Sequence, residues 1–292
     1  MIELQALTIG AAAAESLVNI GQGKVIGVTS KGVFLRIDDR IAFLTSADYS
    51  SPFNITFADP DAQLETLQPG DDFYILAEGL SFPLRRVMVL TGKAGVTQSP
   101  PPVKVRATVD EQLSHAQEIS RRLRLLAGDK GYLFLSGTQG EPLSVDQEEV
   151  LRDAKAMPIA FTNRVEREFR RHAVSLLGKG TGLTPSGDDF ITGFLLYHSR
   201  FNLATGQPQD FLTEVFQQLV PLAFEKTTMI SANRLLYAGR GWSEGLFLNL
   251  VDALFDAQVV VSMQDLNHLV NFGHSSGIDT FMGMLYAVKT WD

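Results

Sequence analysis

The sequence predicts an α+β chain, with a small antiparallel β-barrel or sandwich at the N-terminal end followed by a mainly α-helical domain. Three observations carry this. Residues 21–105 consist of short runs rich in β-branched and aromatic residues, broken by Gly, Asp and Pro. The Ser-Pro-Pro-Pro run at 99–102 is a stiff connector that extends neither pattern. Beyond it, apolar residues recur at helical spacing and N-cap signals begin. The expected division is a β-rich domain over residues 1–105 and a helical domain over residues 106–292.

Taken in order, residues 24–29 and 33–37 read as strands around a Ser-Lys-Gly turn, and Asp38-Asp39 turns into a strand at 40–44. Further strands are expected at 55–57, 73–76 and 85–90. No catalytic constellation falls in this half, so it reads as a docking or oligomerisation domain. In the second half, Thr108 with Glu111 is a capping box that opens a helix ending near Ala127 at Gly128. Ser144 with Gln147 opens the next, and residues 131–140 between them read as a strand pair or a loop. Residues 163–177 form an amphipathic, arginine-rich helix with a solvated charged face. Helices follow near 190–201, 211–219, 224–238, 242–255, 265–271 and 278–288. Several are apolar enough to lie at the centre of a bundle.

Composition narrows the function classes. A chain of 292 residues can bury a large core, and a formal charge of −8 argues against nucleic acid as a partner. The absence of cysteine removes disulfides, thiolate catalysis and cysteine-ligated zinc. No H-x-x-x-H or H-E-x-x-H spacing suggests zinc on histidines either. No apolar run approaches a membrane span, and the N-terminus, with Glu3 and no early Lys or Arg, does not read as a signal peptide. A cytoplasmic protein is expected, without membrane association.

The chemistry concentrates in residues 178–193, GKGTGLTPSGDDFITG. Gly178, Gly180 and Gly182 free the backbone from its usual steric limits. Pro185 suits the first turn of a helix, and Ser186 with Asp189 has capping-box spacing. A glycine turn running into a helix N-terminus offers free N–H groups and a positive dipole end, a setting for an anion. Lys179, Gly180, Gly182, Thr184, Ser186 and Gly187 are therefore candidate binding residues. The loop is no Walker A sequence, because Lys179 precedes the last glycines. It is no dinucleotide fingerprint either, because no strand pattern precedes it.

A second copy of the pattern follows. Ser186-Gly-Asp-Asp-Phe-Ile-Thr-Gly193 recurs as Ser276-Gly-Ile-Asp-Thr-Phe-Met-Gly283, so both read S-G-x-D-x-x-x-G at the start of an apolar helix. A glycine inside a helix costs about 1 kcal/mol against alanine, and its retention signals close backbone approach. The two helices are expected to cross near Gly193 and Gly283, bringing both N-termini to one pocket. Asp188 is matched by Ile278 and Thr184 by His274, so a structural repeat alone does not explain Asp188 and His274. His274, between Gly273 and Ser275-Ser276, is the one histidine in a setting suited to chemistry. His115 and His172 are expected at the surface, and His198 and His268 as ordinary helix residues. Asp188, Asp189 and Asp279 offer oxygens that suit Mg²⁺. Thr227, Thr228 and Ser231 share a face of the expected 224–238 helix, as site hydroxyls or as hydroxyls bonded back to carbonyls.

Three segments, residues 178–193, 227–239 (TTMISANRLLYAG) and 273–283 (GHSSGIDTFMG), resemble the AllH-like family in this order, over roughly the C-terminal two-thirds of the chain. The named members are subunits of oxamate carbamoyltransferase. The resemblance implies a role in allantoin (purine) breakdown, where oxalurate and phosphate yield oxamate and carbamoyl phosphate. It also implies two partners, an FdrA-like and a YlbE-like subunit. For such anions the loop amides, the helix N-termini and Lys179 would be donors. His274 would be the general acid/base, with Asp188 or Asp189 orienting it or a metal. Thr184, Ser186, Thr228, Ser231, Ser275, Ser276 and Asp279 would contact substrate. Two other readings stay open: a non-catalytic subunit binding a small anion or nucleotide, and a stand-alone carboxylase-like or metal-dependent phosphoryl-transfer enzyme.

Overall fold

The computed structural model describes residues 2–47, 49–57, 64–137 and 142–289. It divides into two compact units, Met1–Pro100 and Pro101–Asp292.

The first unit contains β1 (Ile2–Gly10), α1 (Ala11–Ser16), β2 (Gly21–Thr29), β3 (Gly32–Ile37), β4 (Arg40–Thr45), β5 (Asn54–Phe57), β6 (Asp72–Leu76), β7 (Gly79–Phe82), β8 (Val87–Leu90) and β9 (Gly95–Thr97). Eight of them pair in the order β5-β4-β3-β2-β6-β7-β8-β1. A β1–β5 pairing closes this ring, and β9 adds to β1. The unit is thus a barrel, of the two architectures expected. It is not wholly antiparallel: β1–β8, β1–β9 and β4–β5 run parallel. The Asp38-Asp39 turn forms as the pattern predicts, joining Ile37 to Arg40 with Asp38 at φ 52°. The barrel begins at Ile2 rather than near residue 21, because the alternation in β1 turns Leu4 and Ala6 inward. The strand expected at 85–90 starts at Val87, since Pro83–Arg85 form a 3-10 turn that Arg86 ends at φ 55°.

The second unit contains α2 (Val109–Ala127), a 3-10 stretch at Gly131–Ser136, then α3 (Val145–Thr162), α4 (Glu166–Leu176), α5 (Ser186–Thr205), α6 (Asp210–Lys226), α7 (Met229–Ala238), α8 (Gly245–Phe255), α9 (Met263–Val270) and α10 (Ser276–Val288). Both expected capping boxes form, Thr108 with Glu111 on α2 and Ser144 with Gln147 on α3. Neither a strand pair nor an irregular loop occupies residues 131–137; the 3-10 stretch packs Tyr132, Leu133, Phe134 and Leu135 into the core. The rest of that expected segment, residues 138–140, lies outside the described residues. The single helix expected over 224–238 is two. Thr227 is extended, and the Thr228 side chain caps α7 by accepting from the Ser231 amide.

Helices α5 and α10 form the centre. The first three turns of α5 from Gly187 to Tyr197 are buried without interruption, and so is α10 from Ser276 to Tyr286. They cross where expected, at Gly193 and Gly283. A Cβ on Gly193 would run into the Thr280 carbonyl, and one on Gly283 into the Phe190 carbonyl. Phe190 and Thr280 each follow the aspartate of their own copy. Each helix therefore uses the same two positions against the other, and the crossing has local two-fold character. The earlier glycine of each copy repeats the device. Gly187 lies against the Leu176 carbonyl at the end of α4, and Gly277 against the Leu269 carbonyl in α9.

Gly193→Ala and Gly283→Ala should each lower stability by about 3 kcal/mol, because a backbone carbonyl cannot move aside as a side chain can. Gly92→Ala, at a glycine with nothing within 4 Å of the added carbon, should be close to neutral. Urea denaturation of the three variants checks this.

Candidate functional site

The crossing brings the first turns of α5 and α10 together, and around them lie the three segments singled out in the sequence. The local S-x-x-D signal misleads about the caps. Ser186 and Asp189 do not form a capping box: the N-cap of α5 is Pro185, and that of α10 is Ser275, neither with a side-chain cap bond. The side chains instead reach across between copies. Thr184 Oγ1 lies 2.7 Å from Ser276 Oγ, and Ser186 Oγ lies 3.4 Å from Ser275 Oγ. Ser276 acts on the Asp189 carboxylate, and Ser186 on that of Asp279. Tertiary packing has converted two potential caps into one polar junction.

The three aspartates are all buried, and each has its own partners. Asp188 accepts from the Gly178 amide at 2.7 Å and from the Thr227 hydroxyl, which ties the glycine loop and the start of α7 to α5. Burial raises its pKa, opposed by the bonds from Thr227 and Gly178 and by the nearby Ser231 hydroxyl. Asp189 pairs with Arg234 of α7. Burial also raises the Asp189 pKa, with Arg234 opposing and Asp279 adding to the rise. Arg234 is itself buried, its Nε lies 3.2 Å from Glu244, and it sits over the Phe247 and Phe272 rings. Asp279 accepts from the Tyr132 amide at 2.6 Å. Gly131 has no room for a Cβ against that carboxylate, and its φ is 57°. Burial pushes Asp279 up to about 6, against the Tyr132 amide and the Ser275 and Ser186 hydroxyls.

The glycine loop is partly self-satisfied. The Gly178 amide serves Asp188, the Lys179 amide bonds the Leu176 carbonyl, and the Lys179 carbonyl accepts from the Gly187 amide. Gly178, Gly180 and Gly182 have φ of 75°, 121° and 92°, which explains their identity. The amides from Gly180 to Thr184 carry no hydrogen bond among the described residues, and Gly180 to Leu183 are exposed. The Leu183 carbonyl is held by the Thr228 hydroxyl at 2.6 Å.

Several expectations change. Lys179 is not a free cation for a ligand, since it pairs with Glu149 at 3.1 Å. Of the three hydroxyls expected on one face, Thr227 and Ser231 both turn to Asp188, whereas Thr228 caps α7 and bonds the Leu183 carbonyl. Asp188, Asp189 and Asp279 do not converge as a Mg²⁺ site, and no group of three carboxylate or imidazole side chains placed for a metal occurs among the described residues. His172 is buried rather than at the surface, 2.9 Å from Asp153, and His115 is half-buried. His274 is exposed at the rim, with its charge felt by Asp279. Sequence reasoning missed Arg234, Glu244 and Tyr132. One signal was available for Arg234: it lies one turn after Ser231, beside Asn233, in a mostly apolar helix.

Residues 176–288 match the family model described as oxamate carbamoyltransferase subunit AllH. All three segments on which the resemblance rests fall inside that range. The barrel and Tyr132 fall outside it. No solved structure matches the chain. No helix among the described residues is long and apolar enough to cross a membrane.

Arg234→Met would leave Asp189 and Glu244 buried without their cation, and should cost about 3–5 kcal/mol at pH 7 in urea denaturation. Asp279 has a second consequence. Its folded pKa of about 6 stands above the unfolded value of 3.8, so the folded state holds the extra proton between them. Its contribution is therefore fully present below pH 4 and is lost as pH rises through 6. Asp279→Asn should gain on the wild type across that window by up to about 3 kcal/mol, at 1.36 kcal/mol per pH unit. Paired denaturation series at pH 4, 5, 6 and 7 check the sign.

Proposed function

We propose that this chain is a subunit of an oxamate carbamoyltransferase-like enzyme that converts oxalurate and phosphate to oxamate and carbamoyl phosphate in allantoin breakdown. The observation that carries the reading is the meeting of the three family segments at one junction, inside the residues that match the family. Phosphate attacks the carbamoyl carbon, the bond from that carbon to the oxamate nitrogen breaks, and that nitrogen takes a proton. The unbonded amides from Gly180 to Thr184 are donors for an anionic oxygen. His274, exposed beside Asp279, is the proton donor to the departing nitrogen. Thr184, Ser186 and Ser275 bind substrate from the half-buried edge of the junction, with Ser276 buried behind Thr184. Asp188 acts as a positioning residue, since its hydrogen bonds hold the loop and α7 in register, and the Asp189–Arg234 pair ties α7 to the same junction. An FdrA-like and a YlbE-like subunit complete the enzyme in the cytoplasm, with the barrel as a docking domain.

A second reading has its own support. With Lys179 paired to Glu149 and both Asp188 oxygens occupied, the junction also suits a non-catalytic subunit that binds a small anion. Reconstitution separates the two. The three-subunit complex should form carbamoyl phosphate from oxalurate and phosphate, and omission of this chain should abolish it. His274→Ala should lower kcat about 100-fold, the scale of a general acid, with the melting temperature unchanged. An unchanged kcat would remove His274 from the chemistry and leave the binding subunit. A complex that forms yet makes no carbamoyl phosphate would end the transferase reading.

A further inference from the structure

The junction holds a set of buried polar atoms that the protein does not satisfy. The Tyr132 hydroxyl has no hydrogen-bond partner among the described residues, although Tyr132 is only 7% exposed. It points at the first turn of α5, where a Cβ on Gly187 would come within 3.3 Å of it. Asp188, Asp189 and Asp279 all act on it electrostatically, yet none accepts from it. Arg234 Nη2 is likewise buried without a partner. One oxygen each of Asp189 and Asp279 has rim hydroxyls nearby but no hydrogen bond. Native proteins rarely leave such groups unmatched, because each costs about 1–3 kcal/mol.

The polarity of this set is specific. The Tyr132 phenol stands beside the Asp189 and Asp279 carboxylates, while the unmatched Arg234 nitrogen lies on the Asp189 side and the unmatched Ser231 hydroxyl on the Asp188 side. An inorganic anion would meet the donors but be repelled by the carboxylates. A metal cation would meet the carboxylates and leave the phenol and the guanidinium unmatched. An amide group carries a carbonyl acceptor next to N–H donors, and matches both. We infer that Tyr132 is a ligand-binding residue, donating from its hydroxyl to the carbonyl oxygen of a small amide or ureide whose N–H groups donate to Asp279 and Asp189. Burial and the surrounding carboxylates keep the phenol protonated, as a donor must be. Gly131 and Ser275, both half-buried, are the neighbours of Asp279 closest to the surface. The ligand is then held at two places. Its amide end lies over the aspartates, and any phosphate or carboxylate lies on the exposed amides of the glycine loop. Identifying the amide as the carbamoyl end of the substrate rests on the function proposed above; the polarity match does not.

The test uses the full-length chain, wild type and Tyr132→Phe, with N-acetylurea as a neutral ureide and with acetate and inorganic phosphate as controls. Melting temperature and calorimetric Kd are measured for each. N-acetylurea should raise the wild-type melting temperature, and Tyr132→Phe should weaken its Kd about fivefold, the worth of one hydrogen bond. Without ligand, Tyr132→Phe should melt at or above the wild-type temperature, because the hydroxyl it removes has no partner to lose. A merely structural hydroxyl would instead lower it. The inference is overturned by absence of wild-type N-acetylurea binding, by an equal Kd in both proteins, or by a destabilised ligand-free variant. A reconstituted complex without carbamoyltransferase activity, whose chain still binds N-acetylurea through Tyr132, would remove the proposed function and leave this site standing.

Discussion

The helical unit depends on one contact, the approach of α5 and α10 at Gly193 and Gly283. Because each glycine meets a backbone carbonyl of the other helix, the axes come closer than side chains would permit. That approach sets the positions of the two first turns, which lie on the same side of the crossing. The serine of each copy is then beside the aspartate of the other, and Thr184 bonds Ser276 directly. Both helix N-termini present their positive ends to the same small volume, and Asp189 and Asp279 sit in that field. A pair of carboxylates this deeply buried needs such a setting, since desolvation alone pushes both pKa values up.

The scaffold is symmetric and the site is not. Asp189 meets a guanidinium, whereas Asp279 meets a backbone amide. Asp188 ties down the glycine loop, whereas its counterpart Ile278 is an ordinary core residue. Thr184 is half-buried in the hydroxyl bridge, and its counterpart His274 is exposed at the rim. Two copies of one helix start thus supply rigidity, while the residues that differ, together with Arg234 and Tyr132 from outside both copies, supply the chemistry.

What could be read from the sequence was local or repeated. Thr108 with Glu111 and Ser144 with Gln147 cap helices as written, since a capping box needs only four consecutive residues. The crossing was legible because an interior glycine costs stability and was present at the matching position in both copies. Three kinds of feature were not legible. The helix break at Thr227 has no Gly or Pro to announce it; it comes from the bonds of Thr227 to Asp188 and of Thr228 to Leu183. Ser186 with Asp189 carries the same letters as a cap, and only packing against α10 redirects them. Tyr132 reads as one more aromatic in an apolar run, and nothing local marks its hydroxyl as unpartnered. Strand β1 escaped for a related reason: its role is to close the barrel against β5 and β8, partners distant in sequence.

The charge balance of the junction bears on any chemistry there. Among the described residues Arg234 is the buried cation acting on Asp188, Asp189 and Glu244, and Asp279 is met by an amide and hydroxyls, so the interior is poor in positive charge even with two helix dipoles directed at it. Such a volume favours groups that donate hydrogen bonds and disfavours a second anion. Exposed backbone amides have no such conflict, and those from Gly180 to Thr184 lie outside the carboxylate layer, on a segment whose glycines keep side chains out of the way. A ligand with a neutral N–H-bearing end and an anionic end would therefore be oriented by electrostatics alone, the neutral end inward and the charged end towards the loop. In the proposed reaction this leaves the scissile carbon–nitrogen bond between the two regions. The leaving nitrogen then faces the rim, where His274 stands.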